Sequence, residues 1–379
     1  MIKVIVLGGG LVGGPMALDL ALDEDKEITV CDISPDILDK FNSNNKIKTV
    51  RADLGHEKTL KELVKDFDFV ISAVPGFMGF KTLERLIRAE KDVSDIAFFP
   101  ENLFDLDALA KEMGVTVLSD IGVAPGMSNI LIGYADHLLD KTFKAITYVG
   151  GLPKVRQWPY EYKAVFSPID VIEEYTRPAR YIENGLEVVK PALTDPELME
   201  FEGVGTLEAF NSDGLRSLAL TIEADYMIEK TLRYPGHIDI MKILRHTGFF
   251  SREKIDINGT MIAPMDLTSK LLFPLWKLNE GEEDLTVMKV IVEGRKGKEN
   301  IRYSWDLYDS YDQLTGVHSM ARTTGYTATM ALRMVAEGMF TEKGVSAPEY
   351  IGKKPECVEF ILNGLKERKV IYHQKTEML

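Results

Sequence analysis

An α/β fold built on a parallel sheet is predicted by three features of the first third of the chain. Short β-branched runs alternate with amphipathic stretches, the spacing leaves room for one helix between successive strands, and three consecutive glycines separate the first strand from the first helix. Ile2–Leu7 is the opening strand, ended by Gly8-Gly9-Gly10; from Leu11 the apolar positions Leu11, Met16, Leu18, Leu20 and Leu22 change to helical spacing. A second strand over 27–31 closes at Asp32. It is followed by Ser34-Pro35-Asp36, a capping serine with proline in the first helical position. Further strands are predicted at 47–50, 69–73, 96–99 and 115–118, with helices at 57–65, 81–89 and 106–113 between them.

Beyond about residue 125 the pattern changes. Residues 144–152, 285–293 and 301–308 read as longer strands, Asn258-Gly259 is a two-residue hairpin turn, and a helix is predicted at 265–278. Helical periodicity returns at 323–338 and 355–367. The expected organisation is a parallel-sheet domain of residues 1–124 plus 323–379 and an α+β domain of 125–322. The long strands with alternating Ile301, Tyr303, Trp305 and Leu307 suggest that the second domain also pairs with another subunit, as a homodimer or larger.

Composition narrows the function. The 379 residues are 45% hydrophobic and carry a net charge of −14, a field that repels nucleic-acid phosphates and anionic lipid. No apolar run approaches the ~18 residues that span a bilayer, and the glycine-broken N-terminal run does not read as a signal peptide. Two cysteines, Cys31 and Cys357, cannot build a disulfide framework, which favours a reducing, cytoplasmic setting. The six histidines show no metal-ligand spacing, so no catalytic metal is expected.

Gly8-Gly9-Gly10-Leu11-Val12-Gly13 fits G-x-G-x-x-G between a strand and a helix. Gly8 permits the tight turn, Gly10 lets the backbone approach a diphosphate, and Gly13 lets helix and strand pack closely. Free N–H groups of Leu11, Val12 and their neighbours, with the positive helix end, would hold the phosphates. Asp32 follows Gly10 by 22 positions and suits the ribose hydroxyls. With Ile33 and no cation directly after it, NAD is favoured over NADP. Asp53 and Leu54, after the third strand, are placed at the adenine edge, although a plain loop would look the same. Ala73-Val74-Pro75 ends the fourth strand where a Rossmann cofactor would need a small wall.

The segment Asp120-Ile121-Gly122-Val123-Ala124-Pro125-Gly126-Met127-Ser128-Asn129 closes the first domain. Here the chain resembles the saccharopine dehydrogenase-like family, whose members join a Rossmann domain to a substrate domain through such a Gly-x-x-Pro-Gly turn. Tyr162-Lys163-Ala164-Val165-Phe166-Ser167-Pro168, Leu207-Glu208-Ala209-Phe210-Asn211-Ser212-Asp213, Leu232-Arg233-Tyr234-Pro235-Gly236-His237 and Arg322-Thr323-Thr324-Gly325 resemble further family blocks, in order. Within the family the nearest likeness is to the lysine 6-dehydrogenase branch. That resemblance implies NAD-dependent oxidation of the ε-amine of L-lysine to its 6-semialdehyde with release of ammonia, a step of lysine degradation. Saccharopine-forming members tend to carry Asp at Ala124 and Arg at Ser212. The alternative is a saccharopine-type or polyamine-forming imine reductase that condenses an aldehyde with an amine.

Such chemistry needs a base, since a free lysine amine of pKa ~10.4 is protonated. Asp120, at the strand end facing the nicotinamide half, and His237, in the Pro235-Gly236 loop, are the two candidates. Recognition of the α-carboxylate calls for guanidinium donors, for which Arg216, Arg233 and Arg322 lie inside the resembling blocks and Arg180 outside them. Tyr162, Asn211 and Asp213 are assigned to the α-amino group or to water. The substrate site is expected in the cleft between the domains.

Overall fold

Parallel pairing of six short strands builds the first unit. In the computed structural model, which describes every residue except Glu280, these are β1 (Ile2–Leu7), β2 (Lys26–Asp32), β3 (Ile47–Arg51), β4 (Phe69–Ser72), β5 (Asp92–Asp95) and β6 (Thr116–Leu118). A seventh strand, Gly344–Ser346, pairs in parallel with β6, so the sheet runs Gly344–Ser346, β6, β5, β4, β1, β2, β3. Chain order reverses between β4 and β1, the switch point where open α/β sheets bind ligands at the carboxyl ends of their strands. Val4, Ile5, Val6 and Leu7 are fully buried, as expected for a strand covered by helices on both faces. Helix α1 (Gly13–Leu20) follows β1, and α2 (Met127–Leu138) follows the turn after β6.

The fifth strand is Asp92–Asp95, where the sequence predicts 96–99. Its two aspartates resemble a turn but belong to the sheet: Asp92 accepts the Thr116 N–H at 2.6 Å, and Asp95 is fully buried. The apolar Ala97 and Phe99 instead pack in the following loop. There they lie so close to the helix Gly76–Arg88 that a Cβ on Gly79 would come within 2.6 Å of Ala97.

The first unit comprises Met1–Asp140 and Met320–Tyr372; the second comprises Lys141–Ser319 and His373–Leu379. Helix α2 thus sits with the parallel sheet. In the second unit, β7 (Lys141–Pro153), β8 (Ala179–Glu183), β9 (Leu186–Lys190), β10 (Glu197–Phe201), β11 (Gly205–Asn211) and β12 (Tyr226–Arg233) precede α3 (His237–Thr247). A separate hairpin, β13 (Ile255–Ile257) and β14 (Thr260–Ile262), leads into α4 (Pro264–Trp276), followed by β15 (Asp284–Lys296) and β16 (Glu299–Ser310). The main sheet runs β10, β11, β12, β7, β15, β16 and Tyr372–Met378, with β8 and β9 attached to β12. Its β12–β7 pair is parallel; β10–β11, β11–β12, β7–β15 and β15–β16 are antiparallel. Ile301, Tyr303, Trp305 and Leu307 of β16 are already buried within the chain. Among the described residues no helix is long and apolar enough to cross a membrane.

Candidate active site

The glycine turn after β1 is shaped for an anionic ligand. Gly8 has φ +98°, and a Cβ on Gly13 would lie 1.9 Å from the Gly8 carbonyl oxygen, so α1 starts directly against the turn. Around Gly10 nothing lies within 4 Å of where a Cβ would be, which leaves its backbone open to close approach. Gly9, unassigned by the motif, is needed for packing: its Cβ would meet Val30 at 2.8 Å and Ile37 at 2.9 Å. Leu11 is exposed. Together with the unpaired N–H groups of a helix's first turn, this arrangement fits the diphosphate of a dinucleotide.

Asp32 ends β2 with its carboxylate aimed back at the turn. Oδ2 accepts the Gly9 N–H and Oδ1 the Ser34 N–H, each at 2.9 Å. The next residue, Ile33, is exposed, and its carbonyl accepts a hydrogen bond from Arg51 Nε at 3.1 Å. Arg51 stands opposite Asp32 in the β2–β3 register, so a cation does flank this corner. Strand register, rather than sequence adjacency, is the signal that finds it. Asp53 accepts the Gly55 N–H at 2.8 Å in an exposed loop, and Leu54 turns into the core. Ala73 lies against the turn, its carbonyl oxygen 2.6 Å from a Cβ built on Gly8. Val74 is core, and Pro75 precedes the helix Gly76–Arg88.

On the other side of the switch point, β5 and β6 end in two buried carboxyl groups, Asp95 and Asp120. Asp120 has φ +59° at the start of a tight turn, which is closed by Gly126 at φ +133° and the Met127 N–H donating to the Gly122 carbonyl at 2.8 Å. Asp95 accepts from Ser119 Oγ at 3.3 Å, its backbone carbonyl accepts the Ile121 N–H at 3.0 Å, and its Oδ1 is buried without a hydrogen bond. Burial, with the Asp120 charge adding to it against the nearby serine hydroxyls, pushes the Asp95 carboxyl up to about 7. Sequence reasoning missed Asp95 because the fifth strand was placed four residues too late.

In the second unit, β12 and α3 bring Arg233 and His237 into an aromatic cage with Tyr162, Tyr175 and Trp276. Arg233 Nε donates to the Tyr175 hydroxyl at 3.0 Å, Nη1 to the Leu232 carbonyl at 2.9 Å, and Nη2 to Glu174. Three of the five guanidinium N–H groups are thus engaged inside the protein and the side chain is buried, which leaves at most two for the substrate clamp expected of Arg233. His237 is closed. Its Nδ1 must carry the proton, because it donates to the Tyr160 carbonyl at 2.7 Å, and Nε2 accepts from the Tyr175 hydroxyl at 2.9 Å. Burial, reinforced by Arg233, pulls its pKa down to about 3, so a fully buried neutral ring replaces the expected base. Tyr162 keeps a buried hydroxyl without a hydrogen bond, the one unsatisfied phenol of the cage.

A second cluster surrounds Asp213, which accepts Arg180 Nε at 2.8 Å and Nη2 at 3.0 Å. Arg177 and the buried Arg216 (φ +52°) stand close enough to repel. Burial first, and then the Arg216 charge, lower the hold of Arg177 on its proton. Arg177 was missed because it lies outside the family-like blocks. Ser212 is buried and accepts from Thr231 Oγ1 at 2.8 Å. Asn211 Nδ2 donates to Thr194 Oγ1 at 3.2 Å and Asp195 Oδ2 at 2.9 Å, tying down a loop, while its Oδ1 is buried without a hydrogen bond. Arg322 belongs to the first unit, where its Nη2 donates to the Arg368 carbonyl at 2.9 Å.

Comparison with known proteins divides the chain by sequence between residues 118 and 122, whereas the compact units return Met320–Tyr372 to the first. Residues 4–118 match the model of the saccharopine dehydrogenase NADP binding domain, and residues 122–371 match that of the saccharopine dehydrogenase C-terminal domain. Saccharopine dehydrogenase (NADP(+), L-glutamate-forming) of Saccharomyces cerevisiae is 24% identical over 446 residues, covering 98% of both chains. The mitochondrial alpha-aminoadipic semialdehyde synthase of Mus musculus is 26% identical over 265 residues, 66% of this chain but 29% of the mouse protein. The solved apo saccharopine dehydrogenase (L-Glu forming) from S. cerevisiae shares the fold, with a TM-score of 0.80 at 20% identity over the whole of both chains. With both family models matched along nearly its full length, the chain belongs to the saccharopine dehydrogenase family of nicotinamide-dinucleotide oxidoreductases.

Proposed function

We propose that this protein oxidises the side-chain amine of an amino acid, L-lysine first among candidates, with NAD as acceptor and release of ammonia. The observation that carries the cofactor choice is the Asp32 carboxylate held against the glycine turn. In that position it accepts ribose hydroxyls and repels a 2′-phosphate. Bound there, NAD would supply a hydride acceptor. The amino acid loses one hydride from the carbon bearing the amine, leaving an iminium. Water adds, ammonia departs, and the balance is R–CH2–NH3⁺ + NAD⁺ + H2O → R–CHO + NH4⁺ + NADH + H⁺.

The chain's own groups divide the remaining work. Asp120, backed by Asp95, takes the ammonium proton, because hydride leaves only from the neutral amine. Arg177 and Arg216 receive the α-carboxylate, an anion that relieves the repulsion between them. Tyr162 holds the α-amino group or orients water with its unsatisfied hydroxyl. The buried pair Ser212–Thr231 offers no cation for a second amino acid, which supports a one-amino-acid substrate over a glutamate-containing one. Two buried free thiols, Cys31 and Cys357, suit a reducing cytoplasm.

A second reading has its own observation. Arg51 beside Ile33, together with relatives named for NADP, favours a 2′-phosphate at the same corner and a saccharopine-type reductase. Initial rates with L-lysine or saccharopine, each with NAD and NADP, separate the two. Ammonia release from lysine with NAD is the expected result, whereas turnover of saccharopine alone would overturn it. Asp32→Ala should weaken NAD binding about tenfold, for one charge-assisted hydrogen bond lost, and unchanged affinity refutes the ribose assignment. Arg216→Ala should raise the KM for the amino acid by roughly 10–100-fold while leaving the KM for the dinucleotide near its original value. A change confined to the dinucleotide would move the carboxylate site elsewhere.

A further inference from the structure

The helix Gly76–Arg88 keeps its amphipathic pattern everywhere except at its start. Thr82, Leu83, Leu86 and Ile87 are buried, and the opposite face carries Lys81, Glu84 and Arg88. Phe77 stands four residues before Lys81 on that polar face, 79% exposed. From Phe69 to Phe80 the chain has no charged residue, so the loop that delivers this ring is apolar as well. A single exposed phenylalanine is ordinary on a protein surface. Its place in the sheet is what sets this one apart.

Phe77 belongs to a row. Ile33 follows β2, Leu11 follows β1 and Phe77 follows β4, and these strands are neighbours in the order β4, β1, β2. All three side chains are exposed at the carboxyl end of the sheet, where open α/β sheets take their ligands. Neighbouring strands lie about 4.8 Å apart, so three of them span on the order of 10 Å. The loop before Phe77 is anchored to the glycine turn: the Ala73 N–H donates to the Leu7 carbonyl at 2.9 Å, and a Cβ on Gly13 would lie 3.1 Å from the Ala73 Cβ. Phe77 comes four residues after Ala73, which keeps it within about 14 Å of the turn.

The direction of the dinucleotide then decides what meets this ring. Asp32, at the end of β2, takes the ribose of the adenosine half, and the glycine turn after β1 takes the diphosphate. The second half therefore continues away from β2, across the carboxyl end of β4. We propose that Phe77 is the platform for the nicotinamide ring, packing against one of its faces, keeping water from that face and leaving the opposite face to the substrate. Two aromatic rings gain from such packing beyond the area they bury. The assignment rests on the dinucleotide lying in the glycine turn, and it adds a residue at the nicotinamide end, where the turn and Asp32 specify none.

Calorimetric titration of the full chain with NADH and with ADP-ribose tests it, because ADP-ribose keeps the adenosine and diphosphate but lacks the nicotinamide. The wild type should bind NADH more tightly than ADP-ribose and should enhance the emission of the reduced ring. Phe77→Ser should weaken NADH about 3–10-fold, the worth of one aromatic pair, reduce the emission enhancement and leave ADP-ribose affinity in place. Phe77→Tyr should restore both readouts, and far-UV circular dichroism checks that each variant is folded. Equal wild-type affinities for the two ligands, an unchanged NADH affinity in Phe77→Ser, or a parallel loss of both ligands overturns the platform while leaving the dinucleotide in the turn. A wild type that binds neither ligand overturns the dinucleotide reading itself, and the platform with it.

Discussion

Asp19→Ala should lower the unfolding free energy of the first unit by about 3–5 kcal/mol, the cost of breaking a buried ion pair by removing one partner. Asp19 lies on α1, almost fully buried. Its carboxylate accepts Thr329 Oγ1 at 2.6 Å, Arg333 Nη1 at 2.7 Å and Arg368 Nε, and its backbone carbonyl accepts Arg333 Nη2 at 3.1 Å. Arg333 also grips Asp23 through Nε at 2.8 Å. One carboxylate near the start of the chain thus holds two arginines from its last quarter, and its loss strands both in a low-dielectric setting. Urea unfolding followed by circular dichroism reads the effect. Asp19→Asn, which keeps an acceptor but not the charge, should fall between. A loss under about 1 kcal/mol would mean that Arg333 is satisfied by Asp23 alone.

That network explains which parts of the fold were legible in the sequence. Local signals are printed in the order of residues, so β1, the glycine turn, the Asn258-Gly259 hairpin and the helix over 355–367 could be read directly. Periodicity marks the C-terminal helices but not the unit they join, and the Asp19–Arg333–Arg368 junction that fixes them there spans more than 300 positions and has no local trace. The same limit applies to the site. Gly8, Gly10, Gly13 and Asp32 form a pattern in sequence and meet in space. Arg51 enters only through strand register, Asp95 only through burial, and Arg177 only through its neighbour Arg216. Errors ran the other way where a residue type suggested reactivity. Arg233 and His237 have the right chemistry, but both ring nitrogens of His237 and three of the five N–H groups of Arg233 are taken up by Tyr160, Tyr175, Leu232 and Glu174, a matter of partners that no single position reveals.

Asp120→Asn should reduce kcat/KM for the amine by about 10²–10⁴-fold, the usual worth of a positioned base, with dinucleotide binding retained. Asp95 gives this prediction a pH signature. Its carboxyl, raised to about 7, holds a proton below neutrality, so the neighbouring Asp120 faces a neutral group. Above about 7 Asp95 ionises, and its negative charge then stands beside Asp120 and draws the ammonium proton toward the pair. The rate should therefore climb through about pH 7, and Asp95→Asn, neutral at every pH, should flatten that limb without abolishing turnover. Stability must move in the opposite sense. A carboxyl that keeps its proton more readily when folded makes the native state bind more protons between about pH 4 and pH 7, so stability falls as pH rises across that window. Asp95→Asn removes this loss, and the variant should be more stable than the wild type at pH 8 by on the order of 1–4 kcal/mol, with no advantage below about pH 4. A purely structural Asp95 would destabilise on substitution at every pH and leave the rate profile in place. A variant that is less stable at pH 8, with an unshifted pH–rate limb, would therefore remove the carboxyl pair from the mechanism.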